Sequence, residues 1–303
     1  MHASYDQPTF VLALTPVHGQ GDALAHLLRT RWDEGPVELR NPDTGHMLFE
    51  LYFASEVEAL LLRSALMGET CLAAATITRT NPADWEAAFR SRFHARNVGE
   101  RLRICPLWEQ DQPGDPGRTT VLIDPGLSFG TGEHFTTSFC LEMIDQVWLN
   151  SAPSSFLDVG TGSGILAIAA ARLGCPRIVA IEADAGVMSI ARDNLARNGV
   201  GDRIDLRSQD LQEDPPAGVY DVVCANLFAS LLTDCSGALR QATGTSLIMS
   251  GMREFEIDGV ADVFARLGGR EVVRDGDGEW AGLVIAFGSS DAKKKTERRG
   301  KTK

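Results

Sequence analysis

The sequence predicts an α/β protein in two parts: a small ferredoxin-like α+β unit, then a larger doubly wound, mainly parallel sheet of seven strands. Three observations predict this. Over the first hundred or so residues, β-rich and amphipathic segments follow one another in the order β-α-β-β-α-β. From Phe156 onward, short apolar strands alternate regularly with helical patterns, as in a sheet built from crossover units. Where the first of those strands meets its helix stands "DVGTGSG", a glycine turn of the kind that lets backbone approach a ligand at a sheet edge.

In the first part, "PTFVLALTPV" reads as a strand and "GDALAHLLRTRW" as an amphipathic helix. "VELRN" and "HMLFELYF" are strands joined by the turn "PDTG". "SEVEALLLRSAL" opens on Ser55 with Glu58 three positions on, a helix-start signature, and "CLAAATITRT" returns as a strand. "DWEAAFRSRF" is a further helix and "RLRICPLWE" a further strand. "QDQPGDPGR" reads as a linker, because neither helix nor strand tolerates its proline and glycine content. These readings set the small unit and its connecting segment at residues 1–108, the linker at 109–121 and the larger unit at 122–288. Then comes "VLIDPGLSFGTGEHFTT", a loop rich in Gly and Thr that precedes an apolar, strand-like segment.

In the second part, "SFLDVG", "RIVAIEA", "RIDLRS", "YDVVCANL" and "TSLIMSG" are strands. "GILAIAAARLG", "GVMSIARDNLARNG", "ASLLTDCSGALRQA" and "IDGVADVFARLG" are helices, and "REVVRDG" and "WAGLVIAFG" complete the strands. Those last two follow one another across "DGDGE" without a helix, which forces a hairpin and one antiparallel strand in the sheet.

Composition narrows the setting. No apolar stretch is long enough to cross a membrane, and "MHASYDQPTF" lacks an export pattern, so the expected location is cytoplasmic. Six cysteines without a C-x-x-C pair read as reduced, mostly buried thiols, with no metal site expected. Net charge is −12, although the tail "KKKTERRGKTK" holds seven basic residues and one Glu. The acidic body argues against broad nucleic-acid binding and suits a basic partner. The tail, within residues 289–303, reads as disordered and is the one segment placed to touch nucleic acid.

The candidate site residues fall at one edge of the predicted sheet. Gly160, Gly162 and Gly164 form G-x-G-x-G, shorter than the dinucleotide fingerprint, and by themselves they are equally a tight turn. Glu182 follows Gly160 by 22 positions, at the end of the second strand, where an acid accepts the hydrogen bonds of a ribose diol. Asn226 ends the fourth strand, as a ligand contact, a helix cap or both. His134 has the chemistry of a general base, but a His in a Gly/Thr loop more commonly makes a structural hydrogen bond.

With these residues in view, the chain resembles the class I S-adenosylmethionine-dependent methyltransferases, whose fold is Rossmann-like. More closely, "LIDPGLSFGTGEHFTT", "FLDVGTGSGILAIAAARLG", "DVVCANLFASLL" and "EWAGLV" resemble the PrmA family. That family methylates lysine and N-terminal amines of large-subunit ribosomal protein eleven. The resemblance implies S-adenosyl-L-methionine as cofactor and that ribosomal protein as partner. It implies cofactor contacts at Thr137, Gly160, Glu182 and Asn226, with Phe129, Thr131 and Gly162 as weaker candidates, and orientation of the amine by Asn226. Phe135 stands where the family usually has Pro, and Phe228 enlarges the segment after Asn226.

Other readings compete. The same fold could act on another protein or on a nucleic acid, but nucleobase amino-methyltransferases usually carry two prolines after the Asn, and "NLFA" has none. A nicotinamide oxidoreductase would need the longer glycine spacing. A non-catalytic binder of a ribosomal partner would have little use for an intact glycine loop with Glu182 and Asn226.

Overall fold

The structure is a computed structural model that describes residues 9–31, 36–40, 47–53, 55–80, 93–124 and 134–288. The chain divides into two units, Met1–Arg92 and Phe93–Lys303.

The first unit contains β1 (Thr9–Pro16), α1 (Gly21–Arg31), β2 (Val37–Arg40), β3 (Met47–Phe53), α2 (Glu56–Leu66) and β4 (Leu72–Thr80). Its antiparallel sheet has the order β2-β3-β1-β4, the expected ferredoxin-like arrangement. Side chains alternate across a strand, so Leu12 and Leu14 of β1 and Phe49, Leu51 and Phe53 of β3 face one way. They meet Leu24 and Leu28 of α1 and Ala59 and Leu66 of α2 in a single core. Ser55 starts α2, its Oγ accepting from the Val57 N–H at 3.2 Å.

The second unit opens with β5 (Arg96–Val98), β6 (Leu102–Pro106) and β7 (Thr119–Ile123), followed by α3 (Phe135–Asn150). It continues through β8 (Ser155–Val159), α4 (Ile165–Arg172), β9 (Arg177–Glu182), α5 (Ala185–Arg197) and β10 (Ile204–Ser208). Next come β11 (Tyr220–Asn226), α6 (Ala229–Asp234), α7 (Ser236–Ala242), β12 (Thr243–Arg253), α8 (Ile257–Arg266), β13 (Arg270–Gly276) and β14 (Trp280–Ala286). The large sheet has the order β10-β9-β8-β11-β12-β14-β13. β14 is antiparallel to both neighbours and the other pairings in the sheet are parallel, as the short hairpin requires. Strand order reverses between β8 and β11, so a crevice opens at their carboxyl ends. β8 is buried throughout, with α3 and the alanine-rich α4 in the core on one face and α6, α7 and α8 in the core on the other. All six cysteines are buried, unpaired thiols.

Three expectations change. The segment expected as a linker at 109–121 joins two paired strands and supplies the first three residues of the second, since β6 and β7 lie parallel from Leu102–Thr119 to Pro106–Ile123. Leu102, Ile104, Val121 and Ile123 enter the same core as α3 and α4, and the boundary between units falls at Arg92–Phe93 instead. The buried carboxylate of Asp145 on α3 fixes this arrangement: it accepts from the Glu100 N–H at 2.7 Å and from Arg101 Nε at 3.0 Å. The apolar segment after the Gly/Thr loop is not a strand but the 16-residue α3, capped by His134, whose buried face recurs at helical spacing through Thr136, Phe139, Cys140, Met143 and Ile144. The helix expected over 229–242 is broken at Cys235, where the Thr233 hydroxyl bonds back to the carbonyls of Ala229 and Ser230. The expected helix at "DWEAAFRSRF", apart from Phe93, and the basic tail lie outside the described residues, as do Phe129 and Thr131.

Candidate active site

The site is built from the carboxyl end of β8 outward. Gly160, Gly162 and Gly164 all have positive φ, at 68°, 56° and 83°. Close approach adds a second reason for glycine. A Cβ on Gly160 would stand 2.6 Å from Leu227 Cδ2, and one on Gly164 would stand 2.8 Å from Leu195 Cδ1. The first glycine therefore admits the chain leaving β11, and the third admits α5. The Gly160 and Thr161 N–H groups both donate to the Ile181 carbonyl at 3.0 Å, tying the turn to β9.

Beneath the turn lies Asp158, fully buried. Its Oδ2 accepts from Thr161 Oγ1 at 2.6 Å and from the Ala167 N–H at 3.0 Å. Its Oδ1 has no hydrogen-bond partner among the described residues. Burial raises the Asp158 pKa to about 6; the bonds from Thr161 and Ala167 oppose the rise, and the charge of Glu182 adds to it.

Glu182, the last residue of β9, stands where spacing placed it. Its Oε2 accepts from the Gly162 N–H at 3.0 Å and its Oε1 from the Asp184 N–H at 3.1 Å. Each carboxylate oxygen can accept a second bond, so a diol can be held by a carboxylate already fixed by backbone. Asn226, ending β11, donates through Nδ2 to Oγ1 of the buried Thr137 at 3.4 Å. Two expected contact residues far apart in sequence thus meet beside the crevice.

His134 takes the structural role. It caps α3, with Nδ1 2.9 Å from Thr136 Oγ1 and 3.4 Å from the Thr136 N–H that donates to it. Its ring stands edge-on to Trp280, centroids 5.0 Å apart. Burial holds its pKa below the usual value; Asp277 and Glu279 pull it up and Arg253 pushes it down. Phe135 begins α3 and stacks on Phe139 at 6.1 Å.

Sequence reasoning missed Asn194 and Asn198, both buried. Asn194 Oδ1 accepts from the Asp124 N–H at 3.0 Å, and its Nδ2 donates to the Ser163 carbonyl at 3.0 Å. Asn198 accepts from the Leu122 N–H at 2.9 Å and donates to the Leu122 carbonyl at 2.6 Å. Two amides four residues apart therefore clamp the chain leading into the Gly/Thr loop, and one of them also holds the glycine turn. Their spacing, which puts both on one side of a helix, was the available signal.

Numbered from β8, the sheet order is 3-2-1-4-5-7-6, with the glycine turn after the first strand, an acid after the second and an Asn after the fourth. Fold and site together define a class I methyltransferase. A family model described as ribosomal protein L11 methyltransferase (PrmA) matches residues 31–287. A Vibrio cholerae protein named ribosomal protein L11 methyltransferase is 36% identical over 218 residues, covering 70% of this chain and 72% of the relative. One of the same name from Yersinia pseudotuberculosis is 41% identical over 191 residues, 62% of this chain and 63% of the relative. The crystal structure of a ribosomal protein L11 methylase from Lactobacillus delbrueckii subsp. bulgaricus aligns at 30% identity with a TM-score of 0.58, over 65% of this chain and 99% of that one. This chain belongs to the ribosomal protein L11 methyltransferase (PrmA) family.

Proposed function

We propose that this protein is an N-methyltransferase that uses S-adenosyl-L-methionine to methylate ribosomal protein L11, at lysine side chains and the N-terminal amine. The observation that carries the reading is the joint presence, at one sheet edge, of Glu182 bonded to the glycine turn and Asn226 bonded to Thr137. The residues fit a nucleoside cofactor: the positive-φ glycines present backbone where side chains would intrude, and Glu182 retains acceptor capacity beside them. Glu182, Gly160 and Gly162 would hold the nucleoside, and Thr137 and Asn226 the reacting end, with Phe129 and Thr131 as further contacts. When bound, S-adenosylmethionine supplies an activated methyl group on a cationic sulfur.

The protein's own task is to present a neutral amine in line with that methyl group. A lysine with pKa about 10.4 costs about 4.6 kcal/mol to deprotonate at pH 7, whereas an α-amine costs about 1 kcal/mol. Asn226 suits this task because its amide oxygen can orient an amine without holding an ammonium as strongly as a carboxylate would. A dedicated base is not required. With its pKa lowered by burial, His134 is a neutral helix cap at pH 7.

Residues 1–92 carry none of the cofactor positions, and we assign them capture of the ribosomal protein, which raises the local concentration of its amines. The basic tail remains the segment for any contact with nucleic acid. No helix among the described residues is long and apolar enough to cross a membrane. A ribosomal substrate puts the work in the cytoplasm. The test is mass measurement of ribosomal protein L11 after incubation with the protein and isotopically labelled S-adenosylmethionine. Mass should rise in methyl steps, with peptide mapping placing them on lysine and N-terminal amines. An unmodified mass would refute the activity; label on other residues would refute the amine assignment.

A further inference from the structure

Two aromatic side chains stand out of the sheet edge that carries the site, and the fold makes little use of either. Phe228 is 69% exposed and Phe255 is 86% exposed. β11 and β12 are adjacent parallel strands, with Asn226 level with Ser250. Phe228 follows Asn226 by two positions; Phe255 lies two positions beyond β12, in the single turn Glu254–Glu256. Both residues therefore lie at the carboxyl end of the sheet, on neighbouring chain crossings, with Phe228 on the crossing that borders the crevice. Those crossings are locked together. The Leu227 N–H donates to the Ser250 carbonyl at 2.9 Å, and a Cβ on Gly251 would lie 2.6 Å from the Leu227 carbonyl oxygen. Phe228 occupies the N-cap position of α6 but makes no side-chain cap bond, and Ala229 and Leu232 carry the buried side of that helix. Scattered exposed apolar residues are ordinary on a protein surface, but two large exposed rings on adjacent chain crossings along one side of a binding crevice mark a contact surface.

The surrounding charge says what kind of partner fits. Glu254 is exposed beside Phe255, and Asp277 and Glu279 are exposed in the turn between β13 and β14, where the Glu254 N–H donates to the Glu279 carbonyl at 3.0 Å. Arg253 stands among them, paired with Glu279 and 4.0 Å from the Trp280 ring centroid. Aromatic faces beside carboxylates accept the aliphatic stem of a lysine and keep its ammonium near opposite charge. An amine can be methylated only when neutral, so a lysine held charged on this rim is a neighbour of the reacting amine and not the reacting amine itself.

We propose that Phe228 and Phe255 form an aromatic rim that receives the lysine-bearing polypeptide flanking the reacting amine, and so help to select the protein acceptor. This rests on the methyl-transfer reading above. The rim acts on acceptor binding; Glu182 and the glycine turn act on the cofactor. Because both rings are exposed, their removal leaves the core unchanged.

The test uses the full-length Phe228→Ala/Phe255→Ala variant beside the wild type. Steady-state methylation of ribosomal protein L11 is followed at saturating S-adenosylmethionine, with cofactor affinity measured by calorimetry. The expected result is a KM for the acceptor raised about tenfold or more, with kcat within about twofold and cofactor affinity unchanged. A KM equal to that of the wild type refutes the rim and leaves the activity standing. A fall in kcat together with cofactor affinity also refutes it, because the rings would then serve the cofactor. No transfer by the wild type refutes the activity and this proposal with it.

Discussion

Replacing Glu182 by alanine separates the brace that the structure shows from the ribose contact proposed for the same carboxylate. The side chain braces the glycine turn by accepting from the Gly162 and Asp184 N–H groups, and its remaining acceptor capacity faces the proposed ribose. Two hydrogen bonds to a charged acceptor are worth roughly 1.5–3 kcal/mol each as an upper figure. Water replaces part of that in the variant, because Glu182 is only half-buried. A loss of at least about 1.4 kcal/mol, a tenfold weaker affinity for S-adenosylmethionine, is the expected outcome by isothermal titration calorimetry. The brace has its own signature in the protein without cofactor. Losing acceptors for two backbone donors near solvent costs about 1 kcal/mol, which lowers the melting temperature of a unit this size by about 2–4 °C. Glu182→Gln keeps one acceptor oxygen and should fall between the two. Wild-type affinity in the alanine variant, accompanied by the lower melting temperature, would refute the reasoning: Glu182 would then be a loop brace with no share in the cofactor.

Asn194→Ala should weaken both the fold and cofactor binding, by about 1–3 kcal/mol in urea unfolding and severalfold in affinity, because it removes the buried amide that accepts from the Asp124 N–H and donates to the Ser163 carbonyl; a stability loss with wild-type affinity would detach the clamp from the site. Asp158→Asn tests the buried carboxyl: its raised pKa means the folded state holds the proton more tightly, so its contribution to stability is full below the unfolded value of 3.8 and lost as pH rises through about 6. The wild type should lose on the order of 3 kcal/mol relative to the variant between pH 4 and 7, and a stability difference independent of pH in urea unfolding would show that Asp158 does not titrate there. Deleting residues 1–92 should preserve S-adenosylmethionine binding in calorimetry and abolish methylation of ribosomal protein L11, whereas a chain beginning at Asp115 should lose both, because it lacks Leu102 and Ile104 of the core. Wild-type methylation by the shorter deletion would refute the capture role of the first unit.

How much of this could be read from the sequence depended on the range over which the determining contacts act. The alternation from β8 to β14 is local, and a strand buried on both faces, such as "SFLDV", announces itself by composition. The place of Glu182 at the end of β9, beside the glycine turn, was legible because crossover geometry fixes the number of residues between a glycine turn and the end of the next strand. The small sheet before the loop was missed because "QDQPGDPGR" is locally a linker, and only the pairing of β6 with β7 makes it a crossover within one unit. The apolar positions of "RLRIC" and "VLI" carried that information, but parallel pairing leaves no turn signal between the partners. The same holds within the site. Asn226 and Thr137 lie 89 residues apart, and the Asn194 amide reaches Asp124, 70 residues away, so their meeting follows from the assembled unit and not from any segment. Such contacts have a common direction: Asn194 and Asn198 hold the chain at Leu122 and Asp124, Glu182 holds the glycine turn, and Thr161 ties that turn to Asp158. Buried polar groups are costly unless satisfied, so a site assembled this way holds its backbone donors in place before a ligand arrives. What the local sequence supplies is the glycine backbone of the turn at Gly160–Gly164; what fixes the shape of that turn comes from α5 and β9, and that is where substitutions remote from the motifs should be felt.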